Sequence, residues 1–270
     1  MFDFISRPLG QFMYFIYNTV GFHNYGLAII IFTIIVRLLM LPLTVKQYRS
    51  NAKLQEIQPQ LQEIQKRYKN DKEKLNAEMM KLYQENNVNP AGGCLPLLIQ
   101  MPILFALWGV ISRPLTYMLG RGSEVKALLE AIPEASRIRG YDELSIVIHD
   151  KLLNMDFLGL NLGLVPTYDI RTIMDKPQYA ALLLIPILAS ALTYFSSKLS
   201  MSATSTNSQN NSSSQMSNTM MIIGPLMTLM FSFQFPAGLG LYWIAGSVIQ
   251  ILQQLYINKH VINKKEVATK

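Results

Sequence analysis

Five long apolar stretches constrain the fold of this chain more than any other feature. They lie at residues 26–45, 92–111, 179–195, 219–235 and 239–256. Each is close to the ~20 residues that a helix needs to cross the ~30 Å hydrocarbon core of a bilayer. Charged residues make up only 15% of the chain, against about 25% in ordinary soluble domains. The sequence therefore predicts an all-α polytopic membrane protein with five transmembrane helices.

The first 25 residues carry a different pattern. Apolar side chains recur there at spacings of three and four, at Phe2, Ile5, Leu9, Phe12 and Ile16. No basic run precedes them, so the segment does not match a cleaved signal peptide. The pattern predicts an amphipathic helix that lies in the membrane interface, and a first spanning helix is the alternative.

Basic residues in the connecting segments predict the orientation. Residues 46–91, 196–218 and 257–270 fall on one side of a five-span protein, with 14 basic against 7 acidic residues. The other side, with the N-terminal segment and residues 112–178, has 9 basic against 10 acidic residues. Because Lys and Arg are retained on the cytoplasmic side, we expect a cell membrane protein with its N-terminus outside and its C-terminus in the cytoplasm.

The polar segments also have distinct characters. Residues 46–91 show helical periodicity interrupted at Asn70–Asp71, which predicts a cytoplasmic αα-hairpin with a kink at Pro59. Residues 196–218 are rich in serine and predict a flexible loop. Residues 112–178 form an extracytoplasmic loop, and residues 257–270 a basic tail. The net charge of +7 suggests contact with the anionic phospholipid bilayer rather than direct reading of nucleic acid.

Arg37 is the one charged residue in the five predicted spans. It lies about 16 Å along the first span at ~1.5 Å per residue, and a mid-bilayer arginine costs about 2.5–3.5 kcal/mol on insertion scales. No span contains an acidic residue to offset this cost. We therefore expect Arg37 to line a functional, water-filled cavity.

Polar side chains on the spans could form the walls of such a cavity. They are Thr33 and Thr44 on the first span, Gln100 on the second, Thr193 and Ser197 at the third, and Trp243, Ser247, Gln250 and Gln254 on the last. For any one of these, polar contact between helices is the alternative interpretation.

The sequence excludes several kinds of chemistry. The three histidines lie outside the predicted spans, there is a single cysteine, and no GxxxxGK[ST] or GxGxxG motif occurs. An intramembrane protease would need catalytic groups such as histidine within the spans, and a nucleotide-driven motor would need one of these glycine-rich motifs. We expect no catalytic residues, no metal site, no cofactor and no enzymatic activity.

Three blocks, in order, resemble the YidC/Oxa/Alb family of membrane protein insertases. They are FTIIVRLLMLPLTVKQ at residues 32–47, NPAGGCLPLLIQMPILFAL at 89–107 and FPAGLGLYWIAGSVIQILQQ at 235–254. The resemblance is to the short bacterial form. It implies five helices around a hydrophilic groove that opens to the cytoplasm and to lipid.

The resemblance also implies the groove residues. The family's arginine matches Arg37, and its threonine, glutamine and aromatic groove residues match Thr33, Gln100 and Trp243 beside Tyr242. Ser197 stands where relatives often carry glutamine, which departs from the pattern. An apparent insertion around residues 120–150 is a second departure.

The implied function is insertion and folding of nascent membrane proteins, with the ribosome and the Sec translocon as partners. A transporter for a small anion is the alternative, because it too would use an unpaired arginine, although the chain lacks the internal repeat of such proteins. A structural scaffold or lipid scramblase is a third interpretation.

Overall fold

The computed structural model describes residues 3–88, 95–202, 212–257 and 259, and most of these residues are helical. The helices are α1 (Asp3–Asn18), α2 (Tyr25–Leu39), α3 (Leu41–Glu56), α4 (Gln58–Arg67), α5 (Lys72–Glu85), α6 (Leu95–Ser112), α7 (Pro114–Tyr117), α8 (Val125–Glu130), α9 (Asp142–His149), α10 (Ile170–Asp175), α11 (Gln178–Leu182), α12 (Leu184–Ser202), α13 (Ser212–Ser232) and α14 (Ala237–Ile257). Two short antiparallel strands, β1 (Asp156–Phe157) and β2 (Leu160–Asn161), form the strand content of these ranges. The prediction of an all-α fold is confirmed.

Fewer helices of the structure are long and apolar enough to be membrane spans than the five that the sequence pattern predicts. Within the described ranges, one helical run, Gln178–Leu199, is long and apolar enough, and the bent pair Tyr25–Leu39 and Leu41–Leu54 raises the number to two. Within α6 and α13, the apolar stretches Gln100–Ser112 and Met221–Ser232 are shorter than a membrane span requires. Helix α14 is 21 residues long, but three glutamines in its last two turns lower its hydropathy. The number of five spans therefore stays a prediction.

The first predicted span is interrupted by a bend. Helix α2 ends at Leu39, and α3 leaves it at an angle of 58°. Pro42 has no amide hydrogen, so the carbonyl of Leu38 cannot receive the usual bond from four residues ahead. The Met40 N–H still donates to the carbonyl of Val36, four residues earlier, at 3.0 Å, and this is the last turn of α2. Helix α3 consequently combines the end of the predicted span, residues 26–45, with the start of the predicted hairpin.

Helices α4 and α5 pack against each other across an apolar seam of Ile57, Leu82 and Val88. At Pro59 the sequence predicts a kink, whereas the structure has a break at Ile57 with Pro59 in the first turn of α4. The side chain of Asp71 accepts a 3.1 Å bond from the Lys74 amide and so caps the start of α5.

The main bundle joins α2, α6, α12, α13 and α14, and its closest pairs are α12 with α13 and α14, and α14 with α2. Helix α1 packs on α6, α2 and α7. The buried face of α1 consists of Ser6, Gly10, Met13, Ile16 and Tyr17, which differs from the predicted apolar face. Small residues allow close approach here, while the larger Phe4, Phe12 and Phe15 remain exposed.

The segment between α6 and α11 covers one end of the bundle. The carbonyls of Leu162 and Leu164 accept 2.8 Å bonds from the amides of Gly238 and Ala237, at the start of α14. Asn24, before α2, donates a 2.8 Å bond to the Asp156 carbonyl. The first two bonds satisfy free amides at the start of α14, and all three bonds hold this segment against the end of the bundle.

The predicted serine-rich loop at residues 196–218 is shorter in the structure. Helix α12 continues to Ser202 and α13 begins at Ser212. Residues 203–211, and nearly all of the predicted basic tail at 257–270, lie outside the described residues.

Candidate functional site

Arg37 lies near the end of α2, three residues before the bend at Met40. Its half-buried side chain lies against Gly246 of α14. A Cβ atom at Gly246 would lie 3.1 Å from Nη2 of Arg37 and 3.8 Å from its Cζ. Glycine therefore leaves a notch in α14 that the guanidinium occupies, and a larger side chain would displace it.

The backbone of Arg37 is held from the same helix. The Nε2 of Gln253 donates a 3.1 Å hydrogen bond to the Arg37 carbonyl oxygen. The buried Oε1 of Gln253 has no hydrogen-bond partner among the described residues. Gln253 thus ties α14 to the point where α2 turns into α3.

A second polar contact joins α6 to α14. The Nε2 of Gln100 donates a 2.8 Å bond to the hydroxyl of Tyr242, which is only 3% exposed. Arg37 is close enough to act electrostatically on this hydroxyl. Arg37, Tyr242 and Gln100 therefore form one polar group inside an otherwise apolar bundle.

Arg37 has no acidic partner in the part of the chain that the structure describes. The ion pairs found there join Lys74 with Asp71, Arg121 with Glu124, and His149 with Asp150. The same part holds no group of His, Cys, Asp or Glu suited to a metal ion. The guanidinium therefore keeps N–H groups that could donate hydrogen bonds to carboxylate or carbonyl oxygens.

The other three predicted site residues are placed differently. The hydroxyl of Thr33 is fully buried and donates to the Ile29 carbonyl in its own helix, at 2.6 Å. Trp243 packs in an aromatic row, 6.5 Å from the ring of Phe235. Ser197 lies on α12, and no hydrogen bond between described residues joins it to Arg37, Tyr242 or Gln100.

Sequence reasoning missed Gly246 and Gln253. The predicted polar stripe on the last span comprised Trp243, Ser247, Gln250 and Gln254. The face that meets Arg37 carries Tyr242, Gly246 and Gln253, which is the same spacing displaced by one residue, or about 100° of rotation. The available signal was the spacing of four residues from Tyr242 to Gly246 and seven from Gly246 to Gln253. A search for polar side chains misses it, because glycine has no side chain.

Replacing Gln253 with alanine should destabilise the contact between α14 and the bend. We expect the loss of about 1 kcal/mol, typical of one hydrogen bond, and a melting temperature lower by about 2–4 °C. Thermal unfolding in detergent measures this, with Gln250→Ala as the matched control. Equal shifts for both variants would contradict a specific role for Gln253.

Comparison with known proteins identifies the family. The model of the 60Kd inner membrane protein family matches residues 15–265. The chain is similar to the membrane protein insertase YidC of Oceanobacillus iheyensis, at 38% identity over 92% of this chain and 81% of that protein. It is also similar to proteins of the same name from Fusobacterium nucleatum, at 34% over 95% and 98%, and from Clostridium perfringens, at 39% over 87% and 78%. With relatives of this identity and coverage, the chain is a membrane protein of the 60Kd inner membrane protein family, the YidC/Oxa/Alb insertases that its sequence blocks resemble.

Proposed function

We propose that this chain inserts nascent proteins into the cell membrane and assists their folding, through a hydrophilic groove centred on Arg37. The observation that carries the proposal is the guanidinium of Arg37, seated on Gly246 without an acidic partner among the described residues. The names of the relatives support the same activity. No covalent chemistry is required.

The groove lowers the barrier to translocation. A polar client segment must cross ~30 Å of hydrocarbon, and a wet cavity that reaches Arg37 from one side shortens that path. The guanidinium donates charge-assisted hydrogen bonds to a client carboxylate or carbonyl, and the hydroxyl of Tyr242 and the amide of Gln100 lie beside it. Apolar client residues move into lipid along the open side of the groove.

We place the groove's opening on the cytoplasmic side, with the hairpin α4–α5, and the closed end outside. The backbone bonds that join Leu162 and Leu164 to the start of α14 support closure at the opposite end from the hairpin. Because Thr33 is fully buried and Trp243 packs against Phe235, we propose that Thr33, Ser197 and Trp243 contact a client only after local rearrangement.

Reconstitution tests the activity against the alternative of an anion transporter. Purified chain in lipid vesicles should insert a small two-span client protein, so that its translocated segment becomes protected from external protease. The same vesicles should show no flux of chloride or phosphate above that of empty vesicles. Anion flux without client insertion would favour the transporter.

Cysteine labelling tests the topology. After Cys94 is replaced by serine, a cysteine at Ser136 in the predicted outer segment should react with an impermeant maleimide in intact cells. A cysteine at Ser208 in the serine-rich segment should react only after the membrane is opened, because the positive-inside rule holds that segment in the cytoplasm. The reverse pattern would contradict the orientation.

We further propose that the ribosome and the Sec translocon are partners. The hairpin carries mixed charge on its exposed faces, and the tail carries four lysines, both suited to docking on RNA-rich or acidic surfaces at low salt. The clients themselves are nascent membrane proteins.

A further inference from the structure

A cavity of about 630 Å³ lies between α1, the end of α6 and the segment that follows it. This is the end of the bundle opposite the hairpin, which the proposed topology assigns to the outer leaflet. The volume lies within the ~300–1,000 Å³ typical of small-molecule sites. The cavity is separate from Arg37, Tyr242 and Gln100, none of which lines it.

The lining of the cavity is divided between apolar and polar groups. Phe105 and Trp108 line it from α6, and these side chains are 41% and 37% exposed. Ser112, about one turn beyond Trp108 at the end of α6, and Arg113, the residue that follows α6, line it with polar groups. A site with an apolar part at membrane depth and a polar part beyond the end of the span matches the shape of a phospholipid at the interface.

Ser112 has an unmet hydrogen bond in this cavity. The residue is only 8% exposed, and its Oγ has no partner among the described residues. Burying a hydroxyl without a partner costs about 1–3 kcal/mol, so the position is suited to a ligand oxygen. Ser6, 2% exposed on the facing side of α1, lines the same space.

The charges around the cavity discriminate between headgroups. Asp3, Asp142 and Glu143 contribute three carboxylates against the single guanidinium of Arg113. Thr116 already donates its amide and hydroxyl to Glu143, at 2.8 and 2.6 Å. Tyr117 donates to Asp3, and this bond holds the pKa of the Asp3 carboxyl below its usual range. An anionic headgroup would meet net repulsion here, whereas a headgroup with both an ammonium and a phosphate would find partners for each.

We infer that this cavity binds the headgroup of an aminophospholipid of the phosphatidylethanolamine type. The phosphate oxygens accept hydrogen bonds from the Ser112 hydroxyl and the Arg113 guanidinium. The ammonium donates to the carboxylate of Asp142, which has no hydrogen-bond partner among the described residues. The acyl chains leave past Phe105 and Trp108. The bound lipid thereby fills the gap between α1 and α6, and the insertion at residues 120–150 supplies part of its site.

Lipid-dependent melting of the full chain in detergent tests this inference. Added phosphatidylethanolamine should raise the melting temperature of the unmodified chain by about 2–5 °C more than phosphatidylglycerol does, because a ligand of the folded state alone stabilises it. Native mass spectrometry should find one phosphatidylethanolamine molecule retained.

Two variants make the test specific. Ser112→Ala without added lipid should melt at the same temperature or higher, since it removes an unpartnered hydroxyl, yet it should lose most of the phosphatidylethanolamine-dependent shift. Arg113→Gln should lose that shift too. Arg171→Gln, an exposed change of the same charge outside the cavity, should retain it.

Two results would contradict the inference. Equal shifts with the two lipids, or a full phosphatidylethanolamine shift in both Ser112→Ala and Arg113→Gln, would overturn the site and leave water as its occupant. Because neither variant touches Arg37 or its neighbours, failure here would leave the proposed insertion activity standing.

Discussion

Arg37→Ala should strongly slow the insertion of clients with acidic translocated segments while leaving the protein folded. The guanidinium has no acidic partner among the described residues, so its removal breaks no ion pair there and relieves the ~2.5–3.5 kcal/mol cost of a charge within the membrane. Each charge-assisted hydrogen bond to a client carboxylate is worth about 1.5–3 kcal/mol, so the loss of one lowers the insertion rate by roughly ten-fold to more than a hundred-fold. A client whose acidic residues are replaced by amides should lose much less.

Insertion into vesicles, measured for the acidic and the neutralised client side by side, checks this expectation. Arg37→Lys is the matched control, because it keeps the charge and loses only the planar fork of donors, and it should retain much of the activity. Equal losses for both clients, together with a lower melting temperature for Arg37→Ala, would instead assign Arg37 to bracing its polar neighbours.

Gly10→Ala should destabilise the protein strongly for the addition of a single methyl group. A Cβ atom at Gly10 would lie 2.5 Å from the carbonyl oxygen of Tyr117 and 2.8 Å from its carbonyl carbon. Moving the backbone atoms of a buried residue costs considerable free energy. We therefore expect α1, which carries Gly10, to shift away from α7, which carries Tyr117. We expect a loss of about 1–3 kcal/mol from overpacking, measured as a melting temperature lower by about 2–10 °C in detergent.

Gly224→Ala provides the matched control for this prediction. Gly224 also lies within a helix, α13, but apart from its neighbours along that helix nothing lies within 4 Å of an added Cβ atom. Its melting temperature should fall much less than that of Gly10→Ala. Alanine loses less conformational entropy than glycine on folding, which offsets the local contact of the added methyl group with the ring of Pro225. If Gly10→Ala behaved like Gly224→Ala, the close contact between α1 and α7 would not be present in the membrane.

The break near Met40 marks the limit of what local sequence could predict. Pro42 was visible in the sequence, and a proline removes one amide donor wherever it occurs within a helix. The sequence does not reveal whether a helix absorbs that loss as a mild kink or turns by 58°. The outcome depends on the tertiary contacts around the bend, and here the side chain of Gln253 from a distant helix binds the carbonyl of Arg37, one residue before the carbonyl that Pro42 frees.

The helical class and the apolar segments followed from the sequence alone, because hydrophobic run length is a local property. The prediction that Arg37 lines a functional cavity also came from the sequence, because the cost of an unpaired charge in a span can be read locally. The three sequence blocks at residues 32–47, 89–107 and 235–254 also sufficed to name the family that comparison then identified. The partners of Arg37 were decided only by tertiary structure. A helix rotation of one residue exchanges Trp243, Ser247 and Gln254 for Tyr242, Gly246 and Gln253, and that rotation is set by packing among α2, α6, α12 and α14. The cavity beside α1 likewise depends on how α1 packs on α6 and α7, and spacing along one helix carries no information about a gap between several helices.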